Sequence, residues 1–578
     1  MSNYYLFIHV NEFAPPESPD TIPISQAYQL ACLQKHGYSG RILGDYQTKQ
    51  LAPADLRRVM QEHSPAVVGF AVYEENINRV RVLARYVKTL NPSTRVIFGG
   101  PQITYMPDEG LLQMSEVDIL CRGEGEMVML SLADAVKEGR PLADVAGISF
   151  KEDGKIVTTD SPEVPDDLDT YPSPYLEGLV DLVGKSRAIL FSSRGCTSPC
   201  TFCYTTRASK KKMRFFSLDR VIGEMLHLKS QGITDFWFAD PNFAFSRERL
   251  ETFLSRIIEE VPGISFWCQT RYNLIDAVLL DLLQRAGAHT IAFGLESAHS
   301  EVLGRIKKGL DPEKISRAIR LMQEAGINVE LFTMFGLPGE TFEMARKTLS
   351  FVKKNNVAVE GNSISQQLHL FFGTQISDNL AENGIHSDPV TKPSYQCICR
   401  DFSTDSMTKD EIKAMSLLWR LNRSDLVEDV QSGINLIERA GFIISNHDAL
   451  SCRPEADLFL ARIFMALEEY GPACDCMDRL KERFPENAEV RKFLSGPFLG
   501  HKIKRRSAAG PGSKIIYDCK GLLDGKEHPA TVALYQEAVL GDGRLLPDFE
   551  KGVLGVKAGR WSQFEVVFPD DYGHPDLA

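Results

Sequence analysis

The sequence predicts an α/β chain in four parts, and three observations carry that prediction. Strand-like apolar runs alternate with amphipathic helical runs over residues 1–150, the pattern of a doubly wound parallel sheet. The alternation resumes over 186–400 as six further βα units, enough for a partial barrel. After a basic, Gly/Ser/Ala-rich run at 501–514, which reads as a flexible linker, the pattern turns β-rich over 515–578. Between the barrel and that linker, 401–500 reads as helical. A chain of 578 residues is in any case too long for a single core.

In the first part the strand candidates are Tyr4–Val10, Arg41–Leu43, Ala66–Val72, Arg95–Phe98 and Val117–Leu120. The helix candidates are Ile24–Lys35, Ala52–Glu62, Ile77–Leu90 and Glu126–Glu138. Ligands of such sheets sit beyond the carboxyl ends of the strands. Those ends carry Tyr73-Glu74-Glu75-Asn76, then Gly99-Gly100-Pro101-Gln102, then Arg122-Gly123-Glu124. The paired glycines permit close backbone approach to a bulky ligand, although any flavodoxin-like sheet has glycine-rich turns. With these three loops, residues 1–150 resemble the Rossmann-like cobalamin-binding domain of class B radical S-adenosylmethionine (SAM) enzymes. The resemblance implies that the three loops hold cobalamin. The D-x-H-x-x-G motif that gives cobalt a histidine in many such domains is absent, and His9, His36 and His63 lie in other contexts. The lower face of cobalt is therefore expected to lack a protein histidine, with Tyr73 to Asn76 nearest it.

Residues 151–185 read as a crossing linker, because prolines at 162, 165, 172 and 174 prevent regular helix. Ala188–Ser192 then reads as a strand leading into Cys196, Cys200 and Cys203. Three thiolates on one short loop suit an iron–sulfur cubane and leave its fourth iron open. A structural zinc site normally takes four ligands, and Cys268 is distant. The C-x3-C-x2-C spacing with Phe202 before the last cysteine resembles the radical SAM superfamily, which implies a [4Fe–4S] cluster whose open iron chelates SAM. Strand candidates follow at Phe236–Ala239, Ser265–Cys268, Thr290–Phe293, Val329–Phe335 and Ser363–Phe372. By the same resemblance, SAM is touched by residues at their carboxyl ends. These are Asp240 and Asn242 (where many members carry Gly-Gly-Glu), Gln269, Glu296 and Ser297, and Gly336, Leu337 and Pro338 beside the adenine. His369 is either a substrate contact or a satisfied barrel histidine.

Thr408 to Glu411 forms a capping box before Ile412–Arg423. Residues 454–495 read as two amphipathic helices around a break at Tyr470-Gly471-Pro472, similar to one tetratricopeptide unit. The pairs Cys397/Cys399 and Cys474/Cys476 offer too few ligands for another cluster. The last segment resembles the FKBP-type domain of trigger-factor chaperones through Asp518, Gly521, Pro547, Phe549, Gly555, Lys557 and Phe568-Pro569-Asp570-Asp571-Tyr572. That family implies a proline pocket, with Tyr517, Phe549 and Phe568 as walls.

A net charge of −12 argues against nucleic acid as the main partner. The basic run Lys210, Lys211, Lys212 and Arg214 reads as a solvated loop. No run approaches the ~20 apolar residues of a membrane helix, and no signal peptide is evident, so a cytoplasmic location is expected. Together the resemblances imply a cobalamin-dependent radical SAM C-methyltransferase. It would use methylcobalamin and a 5′-deoxyadenosyl radical on an unactivated carbon of a small-molecule or peptide substrate. Its electron donor would be a protein such as flavodoxin or ferredoxin. The same enzymes also run rearrangements and ring closures. A polypeptide-binding, prolyl-isomerase-like protein that keeps the barrel as scaffold is the reading from outside that class.

Overall fold

The first apolar runs alternate with period two, and each face of the resulting sheet finds its own helices. In the computed structural model, residues 3–10, 22–44, 51–73, 76–355, 357, 367–387, 401–420, 436–467, 470–495, 510–519, 522–523, 526–527, 533–543, 545–556 and 564–566 are described. They fall into two compact units, Met1–Ser424 and Asp425–Ala578.

The first unit opens with β1 (Tyr4–His9), α1 (Ile24–Lys35), β2 (Ser39–Gly44), α2 (Pro53–His63), β3 (Val67–Ala71), α3 (Ile77–Leu90) and β4 (Arg95–Gly99). Two short helices follow, α4 (Pro101–Thr104) and α5 (Asp108–Leu112), then β5 (Ile119–Cys121) and α6 (Gly125–Glu138). The parallel strand order is β2-β1-β3-β4-β5, so the connections reverse direction between β1 and β3. Such a reversal opens a crevice at the strands' carboxyl ends. Leu6, Ile8, Val68, Phe70, Val96 and Phe98 face one side, in a core shared with α2 and α3. Tyr5, Phe7, Val67 and Ile97 face the other, in a core shared with α1 and α6.

The expected linker from residue 151 starts too early. β6 (Ile148–Glu152) and β7 (Lys155–Thr158) extend the sheet as an antiparallel hairpin, making seven strands. Asp153 and Gly154 turn it with φ of 48° and 75°, positive at both central residues as a tight hairpin requires.

The barrel half comprises β8 (Arg187–Leu190), β9 (Ser193–Gly195), α7 (Thr205–Ala208), β10 (Met213–Phe215), α8 (Leu218–Ser230), β11 (Asp235–Phe238), α9 (Arg247–Glu260), β12 (Ser265–Gln269) and α10 (Ala277–Arg285). It continues through β13 (Ala288–Glu296), α11 (Ser300–Arg305), α12 (Pro312–Glu324), β14 (Asn328–Thr333) and α13 (Phe342–Lys354). Five parallel strands form its sheet, in the order β14-β13-β12-β11-β8. On β11, Phe238 is fully buried against Phe243, Phe253 of α9 and Phe266 of β12, at ring separations of 4.8, 5.7 and 5.4 Å. Trp237 alternates to the other face and meets Trp267.

Six barrel strands were expected, and the described residues contain five. Most of the expected strand Ser363–Phe372 lies outside the described residues or does not pair. Gln367 makes a single parallel bridge to Phe335, and the chain then turns, with the Thr374 N–H donating to the Phe371 carbonyl. The unit closes with α14 (Gln375–Asp378), β15 (Ile385–Ser387), β16 (Phe402–Thr404) and α15 (Lys409–Arg420). The capping box forms: Thr408 N–H donates to Glu411 Oε2 at 3.0 Å, and Glu411 N–H to Thr408 Oγ1 at 3.2 Å.

The second unit contains α16 (Leu436–Ser445), α17 (His447–Leu450), α18 (Glu455–Ala466), α19 (Tyr470–Arg483) and α20 (Ala488–Ser495). Helices α18 and α19 pack together. Tyr470-Gly471-Pro472 begins α19 instead of breaking a helix, since proline is accepted in a first turn, where its missing N–H has no partner to lose. Cys476 is buried there, accepts from Arg479 at 3.1 Å, and its thiol is pushed up to about 12 by burial. Cys397 and Cys399 lie outside the described residues.

The last described elements are β17 (Lys514–Cys519), β18 (Leu522–Leu523), β19 (Lys526–Glu527), β20 (Ala533–Val539) and α21 (Pro547–Val553). β17 and β20 pair antiparallel. Of the expected pocket walls, Phe549 lies on α21 against Phe564, while Phe568 falls outside the described residues. Among the described residues, no helix is long and apolar enough to cross a membrane.

Phe238→Ala removes the side chain on which three other rings converge. It is expected to cost ~3–5 kcal/mol of stability in denaturant unfolding of the full chain.

Candidate functional site

The three thiols sit inside a hairpin. β9 and β10 pair antiparallel, with Gly195 opposite Met213 and Arg194 opposite Arg214, and the loop between the strands carries Cys196, Cys200 and Cys203. Gly195 closes the neck at φ 99°, where a Cβ would lie 2.0 Å from the Lys212 carbonyl oxygen, so only glycine fits. Further along, Thr201 N–H donates to the Ile306 carbonyl and Thr201 carbonyl accepts from Ile376 N–H, both at 3.1 Å. Arg271 Nη1 donates to Ser198 Oγ at 3.0 Å.

All three thiols are free of disulfides. Cys200 is buried, and Cys196 and Cys203 are partly open. Among the described residues no three His, Cys, Asp or Glu side chains converge as a single metal ion requires. A cubane presents a separate iron to each thiolate, so this donor set fits that group.

Cations gather behind the loop. Lys308 is half-buried, donates to Glu296 Oε1 at 2.7 Å and stands 5.6 Å from the Phe202 ring centroid. Desolvation works against its charge, but Glu296 and Cys200 hold it protonated above the ordinary lysine value. Burial raises the Cys200 thiol, while Lys308 and Arg271 pull it back toward thiolate. Glu296 ends β13 at φ 62°, a left-handed conformation that costs a non-glycine residue of order 1–3 kcal/mol. Such strain is kept where the carboxylate must point in one direction.

The other expected SAM residues divide. Ser297 is fully buried and donates to Glu340 Oε1 at 3.3 Å, while Leu337 N–H donates to Glu340 Oε2 at 3.4 Å. Glu340 thus pins the Gly336-Leu337-Pro338 turn, which lies beneath Phe402 and Ile412. Burial pushes the Glu340 carboxyl up to about 8. Asp240 is fully buried, and its carboxylate takes hydrogen bonds from Ser192 N–H and from the Ser192 and Ser193 hydroxyls. The carboxylate is thereby engaged in holding the strand before the cysteines. Asn242 accepts from Thr270 Oγ1 at 2.9 Å, and Gln269 ends β12 half-buried. His369 lies 5.3 Å from Phe371, and burial lowers its imidazole to about 4, so it is neutral.

A cleft of roughly 330 Å³ opens between the carboxyl ends of the first sheet and the start of the barrel. Its first wall includes the expected Tyr73, Gly99, Gly100, Pro101, Gly123 and Glu124. Its second includes Phe191, Ser193, Arg194, Gly195, Ala239 and Pro241. Gly123 lines it at φ 91° with no atom within 4 Å of a would-be Cβ, an open cradle for a bulky group. No histidine is among the described residues lining it.

Three expected cobalamin residues do not line the cleft. Asn76 accepts from Tyr73 N–H and donates to the Val10 and Ala71 carbonyls, so it shapes the loop. Arg122 is spent on Asp108, Ser149 and the Ile103 and Met106 carbonyls. Gln102 is buried at the start of α4. Glu74 and Glu75 lie outside the described residues. Arg214, expected in a solvated loop, is buried and paired with Glu124.

Sequence reasoning missed Lys308, Arg271, Glu340 and Arg194. For Arg194 and Arg271 the available signal was a basic residue at a strand end near the cysteines, while Lys308, after α11, and the acidic Glu340 offered none. The missed cleft residue Gly69 also had one, a glycine inside an otherwise apolar strand.

Residues 190–352 match the family described as the radical SAM superfamily, and residues 18–133 match the B12-binding domain. The two matches imply a [4Fe–4S] cluster, SAM and cobalamin. It is 28% identical over 340 residues to a Pyrococcus horikoshii protein described as uncharacterized methyltransferase PH0819, covering 58% of this chain and 74% of that one. It is 29% identical over 367 residues to the anaerobic magnesium-protoporphyrin IX monomethyl ester cyclase of Rubrivivax gelatinosus, covering 61% and 66%. Its fold is similar to that of the radical SAM methyltransferase TsrM from Kitasatospora setae, solved with cobalamin and a [4Fe–4S] cluster, at a TM-score of 0.58 and 21% identity. That match covers 68% of this chain and 78% of TsrM.

A buried carboxyl that stays protonated makes stability pH-dependent. Glu340 binds its proton in the folded chain up to about pH 8 but releases it near 4.5 when unfolded, so its contribution is complete below 4.5 and is lost as pH rises to 8. Glu340→Gln is expected to flatten the fall in unfolding free energy over that window, up to ~1.4 kcal/mol per pH unit, in urea titrations at several pH values.

Proposed function

We propose that the protein is a cobalamin-dependent radical SAM C-methyltransferase acting on an unactivated carbon. One observation carries the reading: a single cleft is walled on one side by the loops of the B12-type sheet and on the other by the strand that enters the three-cysteine loop. When bound, the cluster and SAM supply one-electron chemistry and cobalamin supplies a methyl-carrying metal.

The chain's own residues bind, orient and exclude water. Cys196, Cys200 and Cys203 hold the cluster. Lys308 and Arg271 would offset the negative charge of the thiolates, and Lys308 fixes Glu296, which would meet the charged end of SAM. Phe202 packs beside Lys308. Gly336, Leu337 and Pro338 offer backbone to the adenine, held in shape by Glu340 and Ser297. Asp240 anchors the junction between β8 and β9 through Ser192 and Ser193, and Asn242 and Gln269 complete the rim. Tyr73, Gly99, Gly100, Pro101, Gly123 and Glu124 would cradle the corrinoid, with Asn76, Gln102 and Arg122 supporting their loops. Electrons would come from a small donor protein such as flavodoxin or ferredoxin, in the cytoplasm.

The likeness to a cyclase favours a second reading, ring closure without net methylation. The FKBP-like motif pieces of 515–578 support a tail that recruits a peptide substrate; its isomerase activity is a separate matter.

Anaerobic reconstitution with iron, sulfide and hydroxocobalamin, followed by reduction and SAM, tests the proposal. Formation of both S-adenosylhomocysteine and 5′-deoxyadenosine is expected, the former only when cobalamin is present. 5′-Deoxyadenosine alone would favour ring closure, and neither product would contradict both readings. Cys200→Ala is expected to lose 5′-deoxyadenosine formation together with bound iron.

A further inference from the structure

Two arginines face each other at the neck of the cysteine hairpin, Arg194 on β9 and Arg214 on β10. Like charges directly opposite on a ladder repel. Glu124, from the loop after β5, stands between them. It pairs with Arg214 and lies 3.2 Å from Arg194 Nη1. Glu126, in the first turn of α6, accepts from Arg194 Nη2 at 2.8 Å. The Arg194 guanidinium is also sandwiched between Tyr28 of α1 and Tyr171, 5.1 Å from each ring centroid. Desolvation opposes its charge, but Glu126 and Glu124 more than compensate, so it is held protonated above the ordinary arginine value.

Tyr28, Glu124, Glu126 and Arg194 all line the cleft. One half-buried cation thus belongs both to the cleft wall and to the strand that ends just before Cys196. The connection has little slack. Gly195 is pressed on the Lys212 carbonyl, and Cys196 N–H donates to Ser209 Oγ at 3.2 Å.

We propose that this clasp makes the cluster loop's grip on SAM depend on whether the cleft is filled. Arg194 is then a positioning residue that acts through the loop. An occupant of the cleft displaces water from Glu124 and Glu126, and their attraction to Arg194 strengthens as the local dielectric falls. The neck is drawn tighter, and the thiols are presented in a different arrangement from that in the hydrated cleft. By linkage, SAM must affect corrinoid binding by the same factor.

The inference rests on the cofactor assignment above, and its test separates the two. In the reconstituted, reduced full chain, SAM is titrated against the EPR signal of the cluster, with and without hydroxocobalamin. The native chain is expected to show SAM affinities at least about fivefold apart. Arg194→Lys keeps the charge but loses the planar two-pronged geometry, and is expected to bring the two affinities within about twofold of each other while still binding SAM. Glu126→Gln leaves the hairpin's own residues intact and is expected to do the same, so a cluster lost in Arg194→Lys leaves the test standing. Equal affinities in the native chain, or a full difference surviving in Glu126→Gln, would overturn the coupling alone. A native chain that takes up neither cofactor would overturn the assignment beneath it.

Discussion

Three cysteines on one loop act together only if the ends of that loop are held, and here the neck of a short antiparallel hairpin holds them. β9 and β10 contribute three residues each, too few to be stable by themselves. Their pairing survives because Asp240 ties down the residues before the neck from the barrel side and Glu124 bridges the opposed arginines from the other. Glu124 does so while partly exposed, whereas the Asp240 carboxylate is removed from water and given its donors in return. Taking the donors away would leave a buried charge unpaired, which is far more costly than never having placed it there.

The same economy explains why so much of the cation chemistry lies one layer behind the loop. Lys308 answers to Glu296, and Arg271 spans from Ser198 to the Lys308 carbonyl. Both act on Cys200, pulling its thiol back toward thiolate against the effect of burial. They set the potential there while leaving room, as a site that must admit both a cluster and a charged cofactor requires. On the other side of the neck, Gly99, Gly100 and Gly123 bring backbone to the cleft beside Glu124 and Glu126.

Much of this was legible in the residues. Strand–helix alternation fixes the first sheet because period-two burial and helical periodicity differ in kind, and the cysteine spacing marks the loop whatever surrounds it. The glycines at 99, 100 and 123 marked the cleft because they are the cheapest way to bring backbone near a ligand. Polar residues at the same strand ends misled, since Asn76 and Arg122 satisfy nearby backbone in preference to a ligand, and sequence position does not distinguish those roles. Arg194 was invisible for the opposite reason. Its partners are about seventy residues away, and only the folded sheet brings Glu124 and Glu126 to it. The hairpin β6–β7 was hidden behind a proline-rich neighbourhood although its Asp153-Gly154 turn was in plain sight.

The central claim is that the three thiols bind a cubane with one iron left for an exchangeable ligand. Mössbauer spectroscopy of the chain reconstituted with ⁵⁷Fe, recorded before and after adding SAM, addresses it most directly. The account requires a cubane spectrum in which a single iron site changes when SAM is added and the other three do not. Iron that binds without forming a cubane, or a cubane whose irons all remain unchanged by SAM, would contradict it.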